Sequence, residues 1–251
     1  MARTWDAGSY DRVGAPMTAM AMPVVERAAL HGDEVVLDAG CGTGRVSEVL
    51  LDRVPRGRVL AVDADPAMVA EAREVLGDRV PVEVGDLTTY LPPEPVDVVF
   101  STATFHWILD HRALFENLFA ALKPGGRLVA QCGGETNIAE LKGIAAAVLA
   151  SRPEWVAATE DWTAPWRYAG PEETERLLHD AGFVDVRCWL APHPIVPDDP
   201  IEYLTTVPLG PYVDRLGPDH APAFIAEVVR RAPEPVTVDY VRLNIEAVRP
   251  S

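Results

Sequence analysis

The ten residues 35–44 constrain the fold more than any other part of the chain. They read Val-Val-Leu-Asp-Ala-Gly-Cys-Gly-Thr-Gly, an apolar β-branched run that empties into three glycines at alternate positions. A helical segment, 45–53, follows directly. Glycine at these positions lets the turn adopt positive φ and lets backbone approach a ligand closely. A strand, such a turn and a helix make the opening of a βαβ unit.

The alternation continues along the chain. Strands are expected at 35–38, 58–62, 80–84, 96–100, 127–131, 184–189 and 240–248, from short runs rich in Val, Ile and Leu. Helices are expected at 45–53, 66–76, 112–122 and 171–181. Asp65 is read as an N-cap with Pro66 at the first helical position, and Gly182 as a stop. Lys123-Pro124-Gly125-Gly126 reads as a helix stop and tight turn. The fold class is therefore α/β, a doubly wound and mostly parallel sheet in a single domain. Its expected parts are a helical cap at 1–32, a ligand-binding core at 33–191, an insertion at 192–235 and a final strand within 236–251. The insertion opens with Pro192, Pro194, Pro197 and Pro200. It carries one helix at 219–231, where Phe224, Ile225, Val228 and Val229 recur at helical spacing. Insertions of this length act as lids or binding loops.

The glycine turn departs from the dinucleotide fingerprint G-x-G-x-x-G, because the third glycine comes one residue early, at Gly44, and Arg45 stands where that motif needs glycine. Asp38 stands just before the turn, placed to receive an ammonium group, and a carboxylate there would repel a pyrophosphate. Asp63 ends the second strand at the sheet's carboxyl edge, where an acid can bridge two ribose hydroxyls. Asp86 follows the third strand in Gly85-Asp86-Leu87, either as a turn residue or as an acceptor for an adenine amino group.

These residues resemble the class I S-adenosylmethionine-dependent methyltransferases: DAGCGTG, VDADPAM, GDL and ALKPGGRLV, in that order across roughly 35–132. The resemblance implies S-adenosylmethionine as cofactor and a Rossmann-like seven-stranded sheet of order 3-2-1-4-5-7-6 with the last strand antiparallel. It implies a cofactor site formed by Tyr10, Asp38, Gly40, Gly42, Asp63, Asp86, Leu87 and Ser101. Gly40 and Gly42 would line the methionine part, Asp63 the ribose and Asp86 the adenine. The chain is similar, more narrowly, to the trans-aconitate methyltransferase group, through Trp5 and Tyr10, the run Ala103-Thr104-Phe105-His106-Trp107, and a helical insertion before the last strand. That likeness implies transfer to a small-molecule carboxylate oxygen.

Strand four ends at the methyl edge, so Ser101 to Trp107 face the acceptor. His106 is the candidate catalytic residue, either a general base or a hydrogen-bonding pocket wall. Trp107 offers its face to a cation or packs in the core. Trp166, Arg167 and Tyr212 complete the candidate acceptor set. Arg167 can pair an anionic acceptor through its planar fork or lie on the surface. The remaining histidines show no metal-ligand spacing, and no metal is expected.

Composition then limits the partners. With 22 Lys and Arg against 38 Asp and Glu, the net charge is -16, a field that repels nucleic acid. No Asn-Pro-Pro-aromatic run follows strand four. The three cysteines are too scattered for a disulfide frame or zinc site. The N-terminal segment carries Asp6 and Asp11 and no apolar core, and no uncharged stretch reaches membrane-spanning length. The expectation is a cytoplasmic enzyme, monomer or homodimer, acting on a small molecule away from nucleic acid and membrane. N- or C-methylation in natural-product tailoring and a non-catalytic cofactor-binding regulator stand as the alternatives.

Overall fold

The computed structural model describes residues 15–251. Trp5 and Tyr10 lie outside the described residues, and of the 1–32 cap the described part contains α1 (Ala15–Arg27).

The sheet begins with β1 (Val35–Ala39), buried along its whole length. It runs parallel between β2 (Arg58–Asp63) and β4 (Val96–Thr102). Successive side chains of a strand point to opposite faces, and β1 is apolar on both. Leu37 joins Leu60, Leu114 and Leu118 on one side, while Val36 joins Val59, Val98 and Leu50 on the other. A strand that buries both faces reads as a continuous apolar run, the mark of a sheet covered by helices on each side.

The covering helices come from the crossovers. Between β1 and β2 lies α2 (Arg45–Arg53), and α3 (Pro66–Leu76) leads to β3 (Val82–Val84). In α3 the Asp65 side chain accepts the Ala67 N–H at 2.9 Å, so the N-cap reading holds. A 3₁₀ turn (Phe105–Trp107) and α4 (His111–Ala121) join β4 to β5 (Leu122–Gly133). Beyond β5 come α5 (Ala139–Leu149), α6 (Pro153–Thr159) and α7 (Pro171–Asp180), then β6 (Val184–Pro192). The segment 192–235 carries α8 (Pro200–Thr206), α9 (Gly210–Leu216) and α10 (Ala221–Arg231), and β7 (Val241–Val248) closes the sheet. The order is β3-β2-β1-β4-β5-β7-β6, seven strands, with β7 antiparallel to both its neighbours.

The structure corrects three readings. Lys123 to Gly126 is not a free turn: β5 starts at Leu122 and runs through it, with an irregular register between the Val96 and Val98 pairings. Gly125 takes φ +78° there, and its N–H donates to the Arg249 carbonyl while Arg249 N–H donates to Gly126, so the segment is tied to the chain beyond β7. Second, β3 is only three residues long, because Pro81 offers its carbonyl to Ala61 but has no N–H to extend the ladder. Third, α5 and α6 lie where no helix was expected, and the insertion contains three helices rather than one. They share a cluster of their own: Leu141, Val148 and Trp155 pack with Tyr203, Phe224 and Val228.

Candidate functional site

The carboxyl edges of β1, β2, β4 and β5, with the first residues of the antiparallel β7, meet on one side of the sheet. The turn after β1 is built on positive φ, +86° at Gly40, +54° at Gly42 and +85° at Gly44. Gly40 has no room for a side chain, since a Cβ would fall 2.2 Å from the Thr104 side chain. Gly42 differs: among the described residues a Cβ there would meet nothing within 4 Å, so its backbone borders open space. Asp63 braces this turn from the end of β2. One oxygen accepts the Gly42 N–H and the other the Asp65 N–H, each at 2.9 Å. A carboxylate offers about four lone-pair sites, so capacity for further hydroxyl donors remains. Burial pushes the Asp63 carboxyl above the usual carboxylate range, against the lowering effect of those backbone bonds.

Asp38 sits deeper than its sequence position suggests. It is buried, and one oxygen accepts the Ser47 hydroxyl at 2.6 Å. Burial pushes its pKa up to about 7, partly opposed by the Ser47 bond, with the Asp63 charge adding to the rise. Ser101 is also buried, and its hydroxyl donates to the Ala39 carbonyl at 2.6 Å, tying β4 to the end of β1. Asp86 is exposed and closes its own turn by accepting the Thr88 N–H and hydroxyl at 2.8 and 2.7 Å. The Leu87 side chain belongs to the core, and its carbonyl accepts from Asn117 at 3.0 Å.

The acceptor-side candidates converge. His106 is buried in the 3₁₀ turn, its ring centroid 5.0 Å from Trp107 and 5.7 Å from Tyr168. Trp166 stacks on Tyr168 at 6.1 Å and meets Trp107 edge-on at the same separation, and Tyr212 lies 5.7 Å from Trp166. The His106 Nδ1 accepts the Gly133 N–H at 3.3 Å. Burial, then the charges of Arg242 and His111, hold its pKa well below the ordinary imidazole value. Both observations favour a neutral ring, and an Nδ1 that accepts leaves the proton to Nε2.

Arg167 does not join this wall through its charge. Its guanidinium donates to Glu173 at 2.6 Å and to the Leu109 carbonyl at 2.8 Å. Two residues outside the expected acceptor set stand in its place. Tyr168 stacks in the wall, and burial pushes its hydroxyl up to about 12. Arg242 on β7 is buried opposite Gly133. Among the described residues no group of three or more His, Cys, Asp and Glu side chains is arranged to hold a metal ion. No described helix is long and apolar enough to cross a membrane.

Comparison with known proteins matches residues 36–126 to a methyltransferase domain family. A trans-aconitate 2-methyltransferase of Rhizobium etli is 30% identical over 230 residues, 90% of this chain and 89% of that protein. Its counterpart in Variovorax paradoxus is 31% identical over 252 residues, 95% and 93% of the two chains. Among solved structures, the YcgJ protein of Bacillus subtilis superposes with a TM-score of 0.64 at 15% identity, over 93% of this chain and 99% of that one. A phosphoethanolamine N-methyltransferase of Haemonchus contortus in complex with S-adenosyl-L-methionine gives 0.64 at 18% identity, over 98% and 57%.

Proposed function

The chain belongs to the class I S-adenosylmethionine-dependent methyltransferases, in the group of the trans-aconitate 2-methyltransferases, and from that membership we propose that it methylates a carboxylate oxygen of a small molecule to give a methyl ester. The observation that carries the choice of oxygen is the hydrogen bond that the Gly133 N–H donates to His106 Nδ1. With that lone pair taken, the other ring nitrogen is a donor. An amine or alcohol acceptor needs a base with a free lone pair to remove its proton. A carboxylate is already ionised at neutral pH and asks only to be held in line.

The residues present fit the cofactor. The open space over Gly42 admits a ligand against bare backbone, and Asp63 retains acceptor capacity beside it. In this reading Gly40 and Gly42 line the methionine part, Asp38 takes its ammonium, and Asp63 holds the ribose hydroxyls. Asp86 and Leu87 border the adenine, with Ser101 behind the methyl edge. When bound, S-adenosylmethionine supplies a methyl group on a sulfonium, an electrophile that needs no further activation. The protein's share is to exclude water and fix the approach. The ring wall of Trp107, Trp166, Tyr168 and Tyr212 presents apolar and aromatic surface to the acceptor, and aromatic faces favour a nearby cation.

Two results are expected. Asp63→Ala weakens S-adenosylmethionine binding by about 2 kcal/mol or more, the scale for hydrogen bonds to a charged group. Calorimetric titration reads it, and an unchanged affinity in a folded variant places the ribose elsewhere. His106→Gln keeps kcat/KM within about tenfold of the wild type, with no new pH dependence between pH ~6 and ~8, whereas loss of a true base costs about 10²- to 10⁴-fold. Product chemistry decides independently. With methyl-labelled cofactor, an ester releases labelled methanol in mild alkali. A base-stable product together with a collapse of His106→Gln activity rules out the carboxylate.

A further inference from the structure

Arg242 is 3% exposed. It lies on β7 opposite Gly133 of β5, the residue whose N–H holds His106, and so belongs to the sheet edge where the acceptor candidates gather. Among the described residues no carboxylate pairs with its guanidinium, and its buried Nε has no hydrogen-bond partner. The Tyr240 ring lies 5.7 Å from the guanidinium carbon.

Other arginines of this chain are treated differently. Arg127 pairs with Glu34 at 3.2 Å and donates to the Ala28 carbonyl at 2.9 Å, and Arg27 pairs with Glu246 at 3.1 Å. A chain with 38 acidic residues has ample means to neutralise a guanidinium, yet among the described residues none forms an ion pair with Arg242. An arginine cannot escape burial by losing its proton, and an unpaired buried charge is among the costliest features a fold can keep. A buried cation without a counter-ion among the described residues, next to a ligand wall, suits an anion that arrives from outside. Its charge already reaches that wall, where it contributes to lowering the pKa of His106 and opposes the rise at Tyr168.

We propose that Arg242 determines acceptor specificity, its guanidinium pairing with a carboxylate of the acceptor beside the ring wall of His106 and Tyr168. This rests on the carboxylate reading above, and adds to it the residue that recognises the charge. Arg167, held by Glu173 and Leu109, is a bystander.

The test is binding to the protein saturated with S-adenosylhomocysteine, so that turnover plays no part. Glutarate, tricarballylate and phenylacetate are titrated, each beside its neutral amide, into the wild type, Arg242→Met and Arg242→Lys. The wild type is expected to bind at least one acid and to prefer it to its amide. Arg242→Met should bind that acid about 30-fold more weakly or worse, the scale for stripping one partner from a buried charge pair, and should lose the preference over the amide. Arg242→Lys keeps the charge without the fork and should recover part of the affinity. Unchanged S-adenosylhomocysteine affinity shows that each variant is folded. Should Arg242→Met fail that control, Arg242→Lys alone decides, since a purely structural arginine would leave the ratio of acid to amide affinity unaltered. Equal acid affinity in wild type and folded variants overturns the proposal, as does a wild type that binds none of the three acids. A base-stable methylated product alongside Arg242-dependent acid binding overturns the ester reading and leaves the role of Arg242 standing.

Discussion

Gly40→Ala should destabilise the protein by about 3 kcal/mol or more, while Gly42→Ala, two residues on, should leave stability within about 1–2 kcal/mol of the wild type and instead impair cofactor binding. Both glycines take positive φ, +86° and +54°, so each alanine carries the strain of a left-handed backbone, about 1–2 kcal/mol. Their surroundings separate them. At Gly40 the new methyl lands 2.2 Å from Thr104 Cγ2 and Oγ1, whereas at Gly42 it meets nothing within 4 Å among the described residues. Thr104 cannot easily yield, because its hydroxyl is engaged with the Gly40 and Thr102 carbonyls at 3.2 and 3.0 Å, and it opens the turn that carries His106. Overpacking of this kind adds about 1–3 kcal/mol. Urea unfolding reads the stability difference and calorimetry the cofactor affinity. In the double variant Gly40→Ala/Thr104→Gly the overpacking part should return and the strain should remain. A Gly40→Ala protein as stable as the wild type would show that the β1 turn and the Thr104 loop move freely apart.

This contact also shows what a sequence discloses. The glycine turn, Asp63 and the strands of the parallel core were legible because each lies within a few residues of the pattern that reveals it. The β-branched run, the glycines and the acid at a strand end are local signals, and a doubly wound sheet puts such ends on one side without further information. The reason for Gly40 was not legible: it depends on Thr104, 64 residues away, across the β1–β4 pairing. Arg242 was hidden in the same way. It reads as an ordinary residue of a terminal strand until antiparallel pairing sets it opposite Gly133. Arg167, by contrast, stands among Trp166 and Tyr168 in the sequence, and that local company suggested a role which the ion pair to Glu173 takes up instead. The helices α5 and α6 did leave a signal in Leu141, Ala145 and Val148 at helical spacing, with Pro153 opening the second. Their pattern is weak because alanines blur the boundary between buried and exposed faces.

Asp38→Asn should make the ligand-free protein more stable at pH ~8, and should leave it unchanged near pH ~4, with a difference of up to about 4 kcal/mol. The Asp38 carboxyl is raised to about 7 in the folded protein, chiefly by burial, against about 3.9 in an unfolded chain. Between those values the folded state binds more protons than the unfolded one, so stability falls as pH rises through the interval and the loss is complete above about 7. Asparagine carries no charge to desolvate, and its amide oxygen can still accept the Ser47 hydroxyl that Asp38 holds at 2.6 Å. The variant should therefore lack this slope, and chemical denaturation at a series of pH values would show the two curves diverging upward from pH ~4. Binding should run the other way. If Asp38 receives the cofactor's ammonium, an incoming positive charge favours the ionised carboxylate, so wild-type affinity for S-adenosylmethionine strengthens from pH ~5.5 to ~7 while the variant binds weakly and without that trend. A buried carboxylate that costs stability in the free protein and is relieved by a cationic ligand is the thermodynamic signature of a binding group. Equal stability of the two proteins at pH ~8 would mean that the carboxylate is hydrated where it stands, and the ammonium would then need another partner.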